Sequence, residues 1–151
     1  MDVYIGTEGF TLPNEFLIKE ICVYFENNEY NHYLFKPPPN HRLTEVDERT
    51  IRYTTNRING ISYHDGDVPY GIMDEVLSRY REYTIYTYSQ VALNLLQRAL
   101  PTTVIINVQE LGFKLPSELP DPVCCRQHPA RYCAKAKAIA VKNFCKNICR
   151  L

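Results

Sequence analysis

Phe16-Leu17-Ile18-Lys19-Glu20-Ile21-Cys22-Val23-Tyr24-Phe25 is a run of β-branched, aliphatic and aromatic residues interrupted by one Lys-Glu pair, the composition of a mostly buried strand. On its C-terminal side Glu26-Asn27-Asn28-Glu29 is polar and turn-forming, and Tyr30 to Lys36 returns as a second strand. On its N-terminal side Val3-Tyr4-Ile5 reads as a shorter one. Three strands in succession with no helix between them predict an antiparallel meander. Pro37-Pro38-Pro39 ends it, because consecutive prolines have no N–H to donate to a ladder.

Helical signals follow. Thr44 with Asp47 three residues later is a capping start for a helix reaching about Ile58, with Asn59-Gly60 as its stop. Pro69 opens a segment in which Ile72, Met73, Val76, Leu77 and Tyr80 recur at helical spacing. Tyr83 to Tyr88 reads as a strand, Ser89 to Leu100 as a helix stopped by Pro101, and Thr103 to Val108 as a strand. Pro116, Pro120 and Pro122 make the next stretch irregular. Ala130 to Cys149 is a long last helix with Val141, Phe144, Cys145 and Ile148 on one stripe, for which core packing of Cys145 and Cys149 is the expectation. A meander, then a helix, then a βαβ unit and a closing helix predict an α/β fold with a mixed five-stranded sheet flanked by helices. This is the element order of the RNase H-like fold, in one domain over residues 1–151.

The 151 residues are 45% hydrophobic and 23% charged, which excludes a disordered chain, and no stretch approaches the 18 apolar residues of a membrane span. No basic segment followed by an apolar one opens the chain, so an intracellular setting, cytoplasm and/or nucleus, is expected. Six cysteines in a reducing compartment point to thiols or metal ligands, and five of them follow residue 123. Charge is uneven as well. Arg126, Arg131, Lys135, Lys137, Lys142, Lys146 and Arg150 occupy the last 29 residues with no Asp or Glu, so the formal net charge of zero conceals a basic end on an acidic body. Such an end reads either as a solvated helix face or as a phosphate-binding one. On the second reading Arg126, Arg131, Lys135, Lys137, Lys142 and Lys146, with Tyr132, are the candidate RNA-binding residues.

Cys125, His128 and Cys133 lie at zinc-ligand spacing: Cys-x2-His forms a short knuckle, and Pro129 bends the chain before Cys133. Cys124 competes with Cys125, but in extended chain adjacent side chains point apart, so one of them coordinates, and Cys125 has the Cys-x2-His spacing. Three ligands leave a tetrahedral zinc ion incomplete. Glu20 is the candidate fourth, because a carboxylate in mid-strand between Ile18, Ile21 and Val23 is costly to bury without a partner; Cys22, on the same strand face, is its alternate. The expected cofactor is structural Zn2+ tying the last helix to the second strand.

These residues resemble the Maelstrom domain, a divergent relative of the DnaQ-type 3'-5' exonucleases. Lys19-Glu20-Ile21 is similar to the family's Glu-Ile strand segment, Asn31-His32-Tyr33 to the His before its third-strand core, and Lys36-Pro37-Pro38 to its proline-bearing turn. The most specific part is Cys124-Cys125-Arg126-Gln127-His128 leading to Tyr132-Cys133. The chain is shorter than that domain, and residues 41–74 have no clear counterpart in it. The resemblance implies association with RNA, protein partners in a small-RNA (piRNA-type) gene-silencing pathway, and a cellular, viral or transposon-derived context.

DnaQ-type enzymes cleave with two metal ions held by Asp and Glu on the first strand and acids on later segments. Ile5-Gly6-Thr7-Glu8-Gly9-Phe10 looks like a relic of the first motif with Gly6 at the Asp position. Ser89 to Asn94 has no carboxylate, and neither has the last helix. Glu8 alone cannot place two divalent cations, so a pseudo-nuclease that binds RNA without cutting it is the expectation. Two alternatives compete with it: a single-stranded RNA nuclease with a rearranged site using Glu8, Glu20 and metal-bound water, and a protein-interaction module presenting some of the twelve tyrosines. His64-Asp65-Gly66-Asp67 reads as a tight turn rather than a site.

Overall fold

The computed structural model describes residues 1–115 and 133–149. Five strands, β1 (Asp2–Thr11), β2 (Phe16–Phe25), β3 (Tyr30–Leu34), β4 (Thr84–Thr87) and β5 (Ile105–Asn107), form one sheet in the order β3-β2-β1-β4-β5. β2 is antiparallel to both β1 and β3, whereas β4 is parallel to both β1 and β5. Helices α1 (Glu45–Thr54), α2 (Met73–Ser78), α3 (Gln90–Ala99) and α4 (Ala134–Cys149) complete it, so the α/β class and the mixed five-stranded sheet flanked by helices are as expected. Among the described residues no helix is long and apolar enough to cross a membrane.

Local chemistry explains the boundaries. Thr44 caps α1 by accepting from Asp47 N at 3.0 Å while Asp47 Oδ2 accepts from Thr44 N at 2.9 Å, the reciprocal pair read from their spacing. Ser89 caps α3 through Ala92 N at 3.0 Å. The turn at Gly66 has a φ of +149°, and a side chain there would run into the backbone of Phe35 and Lys36, so only glycine fits. Lys19, the extra residue where the β1–β2 register shifts, reaches that turn and donates to Tyr63 O and Asp65 O, both at 2.6 Å. Burial pushes its ammonium down to about 8.

The two faces of the sheet carry different layers. Val3, Ile5, Ile21, Val23 and Ile85 pack with Leu77, Tyr80, Leu96 and Leu100 of the α2–α3 side. On the opposite face Tyr4 packs with Val141 and Cys145 of α4 and with Val108 and Phe113, while Cys22 meets Ala134 and Ala138. Cys145 is therefore a core thiol, as its stripe position suggested. Phe10, Leu12 and Leu17 meet Ile51 of α1 beyond the far end of the sheet.

β1 runs ten residues where the sequence pattern suggested three. Gly6 and Gly9 break the apolar alternation, yet both are buried under neighbouring backbone. A Cβ on Gly6 would fall well inside contact distance of the Ala134 carbonyl oxygen and 2.8 Å from Ala138 N, so α4 lies directly on the bare β1 backbone. Gly6→Ala is accordingly expected to push α4 off the sheet and cost about 3 kcal/mol or more. Urea denaturation of the variant measures it.

Candidate functional site

Two glutamates face each other in the sheet. Glu8 of β1 and Glu20 of β2 are register partners, so their side chains emerge side by side on the face that α4 covers. Glu8 is 7% exposed and Glu20 not at all. Like charges placed so close and so dry destabilise one another unless each finds its own counterpart. α4 brings one to each.

Glu8 pairs with the ammonium of Lys137, which also donates to Thr7 O at 3.3 Å and lies 5.4 Å from the centre of the Tyr88 ring. Asn59, wholly buried at the end of the turn after α1, donates to Gly9 O at 3.1 Å and to Glu8 Oε1 at 3.5 Å. Burial pushes the Glu8 carboxyl up despite Lys137. For Lys137, burial acts to lower the pKa, but the Glu8 carboxylate and the Tyr88 hydroxyl together outweigh it and hold the ammonium above its ordinary value. This pair floors a cleft of about 550 Å³ walled by Thr11, Phe16, Thr50, Tyr53, Ile58 and Val91.

Glu20 spans the start of α4. Its Oε1 accepts from Ala134 N at 2.7 Å, satisfying an orphan amide of the helix and placing a carboxylate at the positive end of the helix dipole. Its Oε2 meets His32 Nε2 at 2.8 Å. The hydrogen bond to Glu20 raises the His32 pKa against the opposing effect of burial. Cys133, fully buried, precedes Ala134, and Cys22, also fully buried, pairs in register with His32. Burial, with Glu20 and Cys133 adding to it, pushes the Cys22 thiol up.

Of the ligand set expected from the sequence, Glu20 and Cys133 are brought together across 113 positions, with the alternate Cys22 beside them. Cys124, Cys125 and His128 lie outside the described residues. Among the described residues no group of three or more His, Cys, Asp or Glu is arranged to hold a metal ion. His32 was not a site candidate. Its presence follows from the β2–β3 register, which sets it opposite Cys22 and one step from Glu20.

The basic face expected on the last helix requires correction. Lys135, Lys137 and Lys142 are buried at 9%, 6% and 7% exposure. Lys135 Nζ sits 4.0 Å from the centre of the Tyr30 ring, Lys137 is on Glu8, and Lys142 donates to Glu26 O at 2.7 Å, Asn28 Oδ1 at 2.9 Å and Phe25 O at 3.1 Å. Lys146, half-exposed, pairs with Glu26 at 2.5 Å. Lys135, Lys137 and Lys142 fasten α4 to the sheet instead of facing solvent, while Lys146 stays at the surface in its pair with Glu26. Alanines make this possible, because Ala134, Ala136, Ala138 and Ala140 let the helix approach closely enough for the lysine stems to lie along it. Arg126 and Arg131 lie outside the described residues.

No family model matches the chain, and no curated protein is similar to it in sequence.

Lys137→Met leaves Glu8 buried with its charge uncompensated, at an expected cost of about 3–5 kcal/mol. Combining it with Glu8→Gln is expected to restore most of that stability, a double-mutant cycle that chemical denaturation reads directly. His32 makes a pH-dependent contribution. Because its folded pKa lies above the ordinary 6.5, the stability from its contact with Glu20 is complete below 6.5 and lost as pH rises through the raised value. Melting temperatures of chelator-treated protein are expected to fall from pH 6 to pH 8, with the slope reduced in His32→Asn.

Proposed function

We propose that the chain is a zinc-pinned, catalytically degenerate nuclease-fold module that binds single-stranded RNA. The strand order β3-β2-β1-β4-β5, with only β2 reversed, supports an RNase H-like reading of the sheet, and the juxtaposition of Glu20 with Cys133 supports the Maelstrom resemblance. One observation carries the loss of catalysis. Where a two-metal nuclease needs carboxylates on the first strand and two divalent cations, the remaining carboxylate, Glu8, is occupied by the Lys137 ammonium. The position of the missing acid, Gly6, is closed by the backbone of α4. A lysine in place of a metal ion balances the charge but activates no water.

The donor chemistry at the start of α4 supports a zinc ion there. A fully buried carboxylate and a fully buried thiol on two separate elements, with a histidine bonded to that carboxylate, match the donor chemistry and the supporting hydrogen bond of structural sites. Glu20 and Cys133 would hold the ion together with Cys125 and His128. Bound there, zinc would supply a crosslink between β2 and the last helix. A role in small-RNA silencing, in a cellular, viral or transposon-derived setting, is the biological context this reading proposes.

Elemental analysis of the purified chain is expected to return about one zinc per molecule, reduced together with thermal stability in Cys125→Ser. Zinc-free protein of full stability overturns the pin. Incubated with single-stranded RNA and Mg2+ or Mn2+, the protein is expected to retain the RNA intact. Cleavage that Glu8→Ala abolishes overturns the degenerate reading, and failure to retain RNA overturns the binding one.

A further inference from the structure

With Lys135, Lys137 and Lys142 of α4 buried against the sheet and Lys146 paired with Glu26, another described surface suits RNA better. α1 and the turn that follows it carry one. Arg49, Tyr53 and Arg57 succeed one another at four-residue steps and are all exposed, Tyr53 at 62%. Among the described residues none of Arg49, Arg52 or Arg57 is held in an ion pair, in contrast to Lys137 and Lys146. The next row of the same helix, Thr50, Thr54 and Ile58, lines the cleft above Glu8 and Lys137, and Tyr53 itself stands in its wall. Ser89 and Val91 bring the start of α3, with the positive end of its dipole, into the lining of the same cleft.

We propose that this rim is the single-stranded RNA interface: Arg49 and Arg57 meet successive backbone phosphates, and an unpaired base stacks on Tyr53 over the cleft. The proposal rests on the RNA-binding function proposed above and deepens it by naming the surface. Charge and shape select the occupant. Beyond the acidic first turn of Glu45, Asp47 and Glu48, a cation, an exposed aromatic ring and a second cation run from α1 into the turn after it and match the phosphate, base, phosphate alternation of a single strand, whose unstacked bases are free to leave the backbone. A base-paired duplex buries its ring faces and has nothing to offer Tyr53. The cleft floor does not attract phosphate, because the Lys137 charge is already spent on Glu8. Its apolar wall of Phe16, Ile58 and Val91 suits the flat face of a base.

The test uses the full chain and a fluorescent single-stranded oligouridylate in an anisotropy titration at several salt concentrations. Arg49→Glu combined with Arg57→Glu is expected to weaken binding at least tenfold near 0.1 M salt. It is also expected to flatten the slope of log K against log salt by about 1.4, two phosphate contacts at roughly 0.7 each. Tyr53→Ala is expected to lose roughly tenfold, and Tyr53→Phe, which keeps the ring, to bind as the unmodified chain does. All three residues are exposed, so melting temperatures should stay unchanged, and Arg81→Glu, at an exposed arginine between α2 and β4, serves as a charge control with little effect. If the unmodified chain binds RNA and the α1 variants bind it equally well, the rim is overturned while the RNA-binding function stands. If the unmodified chain binds no RNA, the function itself fails and the rim with it.

Discussion

The pairing of Glu8 with Glu20 across β1 and β2 is the constraint from which the rest of the site follows. Two carboxylates in register on a buried face have no stable solution within the sheet, so a third element must deliver compensation. α4 is that element. It supplies a cation to Glu8 through Lys137 and a backbone amide to Glu20 through Ala134, within a single turn of helix. It can do so only because Gly6 leaves bare backbone beneath it. His32 completes the arrangement from β3, so three strands and the last helix share one polar seam inside an otherwise apolar layer.

That seam determines what the molecule can do. Lys135, Lys137 and Lys142 are spent on Tyr30, on Glu8 and on the turn after β2, whereas Arg49, Arg52 and Arg57 of α1 and the turn after it are exposed. The Glu8 carboxylate is matched by the Lys137 ammonium, and the cleft that the pair lines stays open. Glu20 lies at the first turn of α4, with Cys133 one residue from its amide contact. The Glu20 and Glu8 contacts are thus two ends of one helix turn, separated along β1 and β2 only by the width of a strand pair.

Much of this was legible in the residues. The limits of β2, the reciprocal cap of Thr44 with Asp47 and the Ser89 start of α3 are local chemistry, and local chemistry is written in short stretches. Glu20 stood out because a carboxylate in mid-strand requires a partner. The full length of β1 was hidden by Gly6 and Gly9, whose meaning lies in the backbone pressed against them and not in their neighbours in the chain. Lys137 could not be matched to Glu8, because the two are 129 positions apart and a lysine on a helix ordinarily faces water. His32, marked in the sequence only through the resemblance and not as a site residue, joined the site through strand register, a long-range property.

Native-state hydrogen exchange on the Ala134 amide, which donates to Glu20, tests most directly whether the buried glutamates hold α4 in place. The expected result is that this amide exchanges only with global unfolding, together with the amides of β1 and β2, and that Glu20→Gln opens the first turn of α4 while the strands stay protected. An Ala134 amide that exchanges rapidly in the unmodified chain, or one whose protection is indifferent to Glu20, would contradict it.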